Sequence, residues 1–185
     1  AIAQLIIGPL SDRFGRRIIV LCGILIFIIA SLLCASSDNI TVLLISRLAQ
    51  ATGACSTLVI SRAIIRDTSE GVAAARAMSY VAIAMAVGPI MAPFVGGFLT
   101  AWFGWRATFI FTFSIGIIVF TAVFFTLKET LPPEKRNPPK LSQLFKTYRS
   151  LLANKHFACY SIIVAFASGA MQAYIVSSPI IFIVV

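Results

Sequence analysis

The chain holds 185 residues, 59% of them hydrophobic and 11% charged, with a mean hydropathy of +0.99. A soluble domain carries about 25% charged residues; this composition instead gives an integral membrane protein, built of helices because long apolar runs dominate over alternating ten-residue segments. The net charge of +9 would suit nucleic acid elsewhere, but here the charges sit in short gaps between apolar runs, which is a topology signal and not a binding stripe.

The chain opens in an apolar run at Ala1 and reaches Gly8-Pro9-Leu10-Ser11-Asp12-Arg13-Phe14-Gly15-Arg16-Arg17 before a second run starts at Ile18. Two glycines, an Asp and three Arg fall within these ten residues. Gly takes backbone angles that other residues avoid, so the chain reverses tightly. The Arg side chains stay at an anionic membrane face. Asp12 lies at a helix end, where it meets an Arg or a helix N-terminus. The pattern G-x-x-x-D-R-x-G-R-R resembles the signature of the major facilitator superfamily, in the loop between its second and third spans. The resemblance implies an all-α membrane fold of twelve spans, and the spans below carry that count. Residues 1–9 are too few to cross about 30 Å of hydrocarbon at about 1.5 Å per residue. The chain also stops at Val185 inside an apolar run. The expectation is therefore a fragment running from the end of span two to span seven.

Ile18 to Ser36 reads as the third span and Ser36-Ser37-Asp38-Asn39 as a turn. The fourth span runs from Ile40 to Ile65, interrupted by Arg47, with Asp67 to Gly71 as turn and cap. Ala73 to Ala101 is the fifth, Trp102 to Trp105 an aromatic interfacial turn, and Arg106 to Leu127 the sixth. The division is thus 1–127 for spans two to six of an N-terminal half, 128–155 for a connector, and 156–185 for the seventh span. All but two of the 15 Lys and Arg fall at one end of these spans, the exceptions being Arg47 and Arg106. The positive-inside rule makes that end cytoplasmic, with loops at 11–17, 66–72 and 128–155. In the connector, Pro132, Pro133, Pro138 and Pro139 mark an extended linker. Leu141, Leu144, Phe145, Tyr148, Leu151 and Leu152 then recur at helical spacing among Lys146, Arg149 and Lys155, the pattern of a basic amphipathic helix on the membrane surface.

Arg47 is the most informative single residue. It lies about 10 Å into the fourth span, where a charge costs about 2.5 to 3.5 kcal/mol and seeks a polar cavity or partner. Snorkelling to the outer interface is the other reading. With Gln50 and Gly53 it forms R-x-x-Q-x-x-G. This resembles the fourth-span motif of drug:proton antiporters, which implies a role for Arg47 in proton coupling; Gln50 could line the cavity. The family places Gly directly after the Gln; here Ala51 and Thr52 intervene.

In the fifth span, Ala84, Gly88, Ala92 and Gly96 recur every fourth residue, with Pro89, Pro93 and Gly97 beside them. Small residues at that spacing make a flat groove for a close-packed helix. Each Pro removes an intrahelical hydrogen bond and allows bending. An ordinary packing face explains the same pattern. Val87 to Gly97 resembles the superfamily's antiporter motif. Together with Gly104-Trp105-Arg106, Arg62 to Asp67, and Ser177-Ser178-Pro179, it resembles the Bcr/CflA branch of bacterial multidrug (bicyclomycin and chloramphenicol) resistance exporters.

That resemblance implies proton-coupled efflux of small drug-like molecules across a bacterial inner membrane, by a monomer working through alternating access. It implies no cofactor, metal or nucleic acid. It would bring Asp67 to the loop of Asp12, to form with Arg13 or Arg16 a charge cluster that gates the outward-facing state; passive pairing is the alternative. No Asp or Glu lies in mid-span, so the proton-carrying acid is expected in the first span. Gln172, Tyr174, Ser177 and Ser178 could line the cavity or make polar helix contacts. Cys22, Cys34, Cys55 and Cys159 read as small buried hydrophobes, and His156 as an interfacial residue. No nucleophile–base pair or phosphate loop implies an enzyme. A metabolite or amino-acid transporter of the same fold, or a non-transporting scaffold or sensor, is the other reading.

Overall fold

The computed structural model describes residues 2–131, 150–151 and 153–184, and all its regular structure is helical. In lipid this follows from the backbone, since each N–H and C=O needs a partner within its own segment. Five helices form a first unit: α1 (Ile2–Phe14), α2 (Arg16–Ala35), α3 (Ile40–Thr68), α4 (Gly71–Phe103) and α5 (Trp105–Thr126). A sixth, α6 (Lys155–Val184), belongs to a second unit. Among the described residues, α2 to α5 are each long and apolar enough to cross a membrane.

Helix α2 is the hub of the first unit, packed on both α3 and α5, while α1 lies against α3 and α2. Ile7, Val20, Ile24, Ile28 and Ile60 form its core, with Phe113, Phe120 and Val123 packed against them. The outer faces stay apolar: Leu25, Ile29 and Leu32 of α2, and Ile118 and Phe125 of α5, are exposed. In water such surface would drive association, whereas lipid tails solvate it. The α2–α3 crossing rests on glycine. A Cβ on Gly53 would meet the Gly23 carbonyl oxygen at 2.5 Å and the Phe27 nitrogen at 2.7 Å, so the backbones approach closely only without one.

Helices α2 to α5 stand where spans three to six were expected, with shifted ends. The first reversal is one residue, Gly15, at φ 99°; Gly8 lies inside α1, and a Cβ there would meet nothing within 4 Å. Expected loop residues 11–14 and 66–68 are helical, as are Trp102, Phe103 and Trp105. The loop after α3 is therefore Ser69-Glu70, and the aromatic turn shrinks to Gly104 at φ 81°. A glycine at positive φ breaks the helix in one step, so the flanking polar or aromatic residues need not. Asn39 caps α3 by accepting from the Thr41 N–H at 2.9 Å, and Asn154 caps α6 by accepting from His156 at 3.1 Å. Cys34 is buried as expected, but Cys22, on an outward face of α2, is exposed, and so is Cys159 of α6. The expected amphipathic helix of 141–152 lies almost wholly outside the described residues.

Candidate functional site

Arg16 starts α2, and its side chain is only 6% exposed. Buried guanidinium demands a full set of acceptors. Its Nη1 meets Asp12 Oδ1 at 2.7 Å, one turn back across the Gly15 break, and also donates to Ser11 Oγ. Its Nε donates to Asp67 Oδ2 at 3.0 Å, from the last turn of α3. Its backbone N–H donates to Glu129 Oε1 at 2.9 Å, so an acid just past α5 caps the start of α2. Ser11 in turn donates to the Gly8 carbonyl at 2.7 Å. One arginine thus ties α1, α2, α3 and the end of α5 together. Of the two arginines expected near Asp12 and Asp67, the structure brings in Arg16; Arg13 is exposed, and its guanidinium lies 5.2 Å from the ring centre of its neighbour Phe14. Arg17 donates to the Phe124 carbonyl at 2.8 Å and faces the Phe124 ring.

Arg47 begins a second set. It lies seven residues past the start of α3 at Ile40. Its Nη1 donates to Gln50 Oε1 at 3.1 Å. Gln50, which is buried, donates through Nε2 to Ser31 Oγ of α2 at 2.8 Å, and the Ser31 hydroxyl donates in turn to the Phe27 carbonyl at 2.7 Å. On its other side the Arg47 guanidinium lies 4.5 Å from the ring centre of Phe109 in α5. A cation over an aromatic face gains about 1 kcal/mol or more when desolvated. The row guanidinium, amide, hydroxyl, carbonyl satisfies the polar groups in sequence and holds Arg47 at a fixed depth.

At the opposite end from Arg16, Arg106 pairs with Asp38 at 2.7 Å and donates to the Ser37 carbonyl, closing α5 onto the α2–α3 turn. The fifth-span residues Gly88, Pro89, Ala92, Pro93, Gly96 and Gly97 lie in one unbroken α4 that has no buried residue, and a Cβ on Gly88, Gly96 or Gly97 would meet nothing within 4 Å. Within this unit their groove is unoccupied. Gln172, Tyr174, Ser177 and Ser178 fall on α6, but their side chains lie outside the described residues. Sequence reading missed Ser11, Ser31, Glu129 and Phe109. A serine inside a long apolar span is the signal by which Ser31 could have been found; nothing local singles out Phe109 among the 15 phenylalanines.

Residues 1–185 match the family model described as Major Facilitator Superfamily. The chain is 39% identical over 183 residues to the MFS-type transporter YdgK of Bacillus subtilis, covering 98% of this chain and 46% of that protein. It is 29% identical over 173 residues to Multidrug resistance protein D of Escherichia coli, covering 94% of this chain and 43% of the other. With a Bicyclomycin resistance protein homolog of Haemophilus influenzae the identity is 27% over 183 residues, covering 99% and 46%. The chain therefore spans a little under half the length of the curated relatives it matches. The crystal structure of the human organic anion transporter MFSD10 (TETRAN) superposes with a TM-score of 0.64 at 26% identity, covering 74% of this chain and 31% of that one. With the glycine-broken helix pair, the buried Arg16 and the spanning helices α2 to α5, these matches lead to one conclusion: the chain belongs to the Major Facilitator Superfamily.

Proposed function

We propose that this chain is part of a proton-coupled exporter of small drug-like molecules in a bacterial inner membrane, working by alternating access. The observation that carries the proposal is Arg47, a charge held a third of the way through a span by Gln50 and Phe109. A membrane protein retains such a charge at a cost of about 2.5 to 3.5 kcal/mol, and intramembrane ionisable groups mark ion and substrate pathways. The names of two relatives, a multidrug resistance protein and a bicyclomycin resistance protein homolog, support drug export over other cargo.

In this reading Arg47 sits in the proton-coupling path and Gln50 at the cavity, with Gln172, Tyr174, Ser177 and Ser178 as further lining. Arg16, Asp12 and Asp67 latch one conformation, with the basic end cytoplasmic. The α4 groove of Gly88, Ala92, Gly96 and Gly97, with Pro89 and Pro93 as bending points, is the seam along which helices slide. The protein acts as a monomer.

The test uses the full-length protein in inverted vesicles under an inward proton gradient, with cationic, neutral and anionic compounds. Drug-triggered proton release in wild type that vanishes in Arg47→Ala supports the reading. Release that persists in Arg47→Ala keeps the exporter and removes Arg47 from coupling. Release with organic anions alone moves the cargo toward that of the human neighbour, named an organic anion transporter. No release with any compound sinks drug export and favours a metabolite carrier or a scaffold. Unchanged transport in Asp12→Asn removes the latch.

A further inference from the structure

At the basic end of the first unit, α1, the start of α2, α3 and α4 line an open cavity of about 290 Å³, formed by Gly8, Asp12, Arg16, Val59, Arg62, Ala63, Arg66 and Met78. Its lining carries three arginines and one aspartate. Arg16 is already matched, on one side by Asp12 and on the other by Asp67. Arg62 and Arg66 are not. They stand at i and i+4 on α3, one above the other on the same face, and both are exposed. Arg62 donates to the Met85 sulfur at 3.4 Å, a weak acceptor that leaves most of its five N–H donors unused. Arg66 has no hydrogen bond or ion pair among the described residues. Asp67 and Glu129 also gather on Arg16, so the acids of this end leave Arg62 and Arg66 without a carboxylate partner among the described residues.

Depth supplies the second observation. From Ile40, about 30 Å of hydrocarbon is crossed in about 20 residues of helix, which brings the chain to the neighbourhood of Ile60. Val59 is then at the apolar edge, Arg62 about 3 Å beyond it and Arg66 about 9 Å beyond. Two unmatched guanidinium groups therefore flank the level of lipid headgroups. Val59, Ala63 and Met78 supply an apolar wall beneath. Guanidinium forks match phosphate oxygens bidentately, and basic pockets between spanning helices suit anionic headgroups.

We propose that the α1–α3–α4 cavity binds a phosphate-bearing anion between Arg62 and Arg66. The chemistry fits two sources, the phosphodiester of an anionic lipid or a free phosphate. The proposal rests on membership of the membrane family and on the cavity, not on drug export, so it survives if transport fails.

The test is native mass spectrometry of the full-length protein released from nanodiscs of phosphatidylethanolamine with phosphatidylglycerol, beside thermal melting with added inorganic phosphate. Wild type should retain phosphatidylglycerol in a discrete stoichiometry. Arg62→Gln with Arg66→Gln should weaken it by about five-fold per arginine removed, and Arg62→Lys with Arg66→Lys should restore part of it. Arg76→Gln, an exposed arginine of α4 outside the cavity, should change it by less than about two-fold. Melting that rises with inorganic phosphate in wild type, but not in the Gln pair, assigns the free anion; a rise with phosphatidylglycerol alone assigns the lipid. Three results overturn the proposal: no discrete anion on wild type, equal retention by the Gln pair, or an equal loss in Arg76→Gln, which would mean only a diffuse basic surface.

Discussion

Arg16 and Arg47 are both arginines in membrane helices, yet their surroundings separate them. Arg16 is buried at a helix start and divided between two carboxylates of unequal exposure, Asp67 at 20% and Asp12 at 44%. A partly buried carboxylate is costlier to lose than a more solvated one. Asp67→Asn should therefore destabilise the full-length protein by about 2 kcal/mol, while Asp12→Asn costs less than about 1 kcal/mol; detergent melting of the two variants should rank them in that order. Gln50 bridges Arg47 and Ser31 from a buried position. Gln50→Leu keeps the volume but leaves the Ser31 and Arg47 groups short of a partner, for an expected loss of about 1 to 3 kcal/mol. Gln50→Glu should melt closer to wild type than Gln50→Leu, since it keeps an acceptor for Arg47. Equal melting of all three proteins would mean that the bridge contributes nothing.

At the scale of the helix, glycine does two different jobs here. Gly23 and Gly53 let α2 and α3 touch through their backbones, and a side chain at Gly53 would meet backbone atoms that cannot move aside. Gly53→Val should cost at least about 3 kcal/mol, at the upper end for overpacking, and lower expression sharply. Gly116 is a milder case, because its added Cβ would meet a side-chain atom, Ile28 Cγ1 at 2.8 Å, and no backbone atom. Gly96 of α4 faces open space in this unit. Gly96→Val should leave the melting temperature within about 2 °C of wild type. If α4 is a sliding seam, the same variant should cut transport; a variant that melts and transports like wild type would make the groove irrelevant to motion. The contrast between Gly53 and Gly96 could not be seen from the residues alone, since both sit in apolar spans with small neighbours.

For the whole molecule, the charges divide by end: Arg13, Arg16, Arg17, Arg62 and Arg66 lie together, with Arg106 and its partner Asp38 at the other end of the bundle. If the basic end is cytoplasmic, Asn39→Cys on a cysteine-free full-length background should react with an impermeant maleimide added to intact cells. Ser69→Cys should react only after permeabilisation. The reverse labelling would invert the assigned topology. Long α3 and α4, at 29 and 33 residues, reach about 43 and 50 Å, so both must tilt or project beyond the hydrocarbon. This is how Asp67 comes to stand at the level of Arg16 instead of in a loop.

The four helices α2 to α5 and the basic end of their unit were legible in the sequence, because each depends on a one-dimensional property: a run of apolar side chains long enough to cross lipid, or a count of Lys and Arg in short gaps. The motif around Gly15 was legible for the same reason, since a reversal within one residue demands glycine wherever it occurs. Helix ends were less so: Asp67 and Trp102 look like turn residues by type, yet the helix continues until a residue with the right backbone angles stops it. Partner choice lay beyond the sequence altogether. That Arg16 and not Arg13 takes both acids, that Glu129 caps α2 from 113 positions away, and that Phe109 faces Arg47 depend on how α1, α2, α3 and α5 are rotated about their axes. A rotation of 100° per residue turns one arginine into the bundle and its near neighbour out to solvent, and only the packing of small residues such as Gly23 against Gly53 fixes that angle.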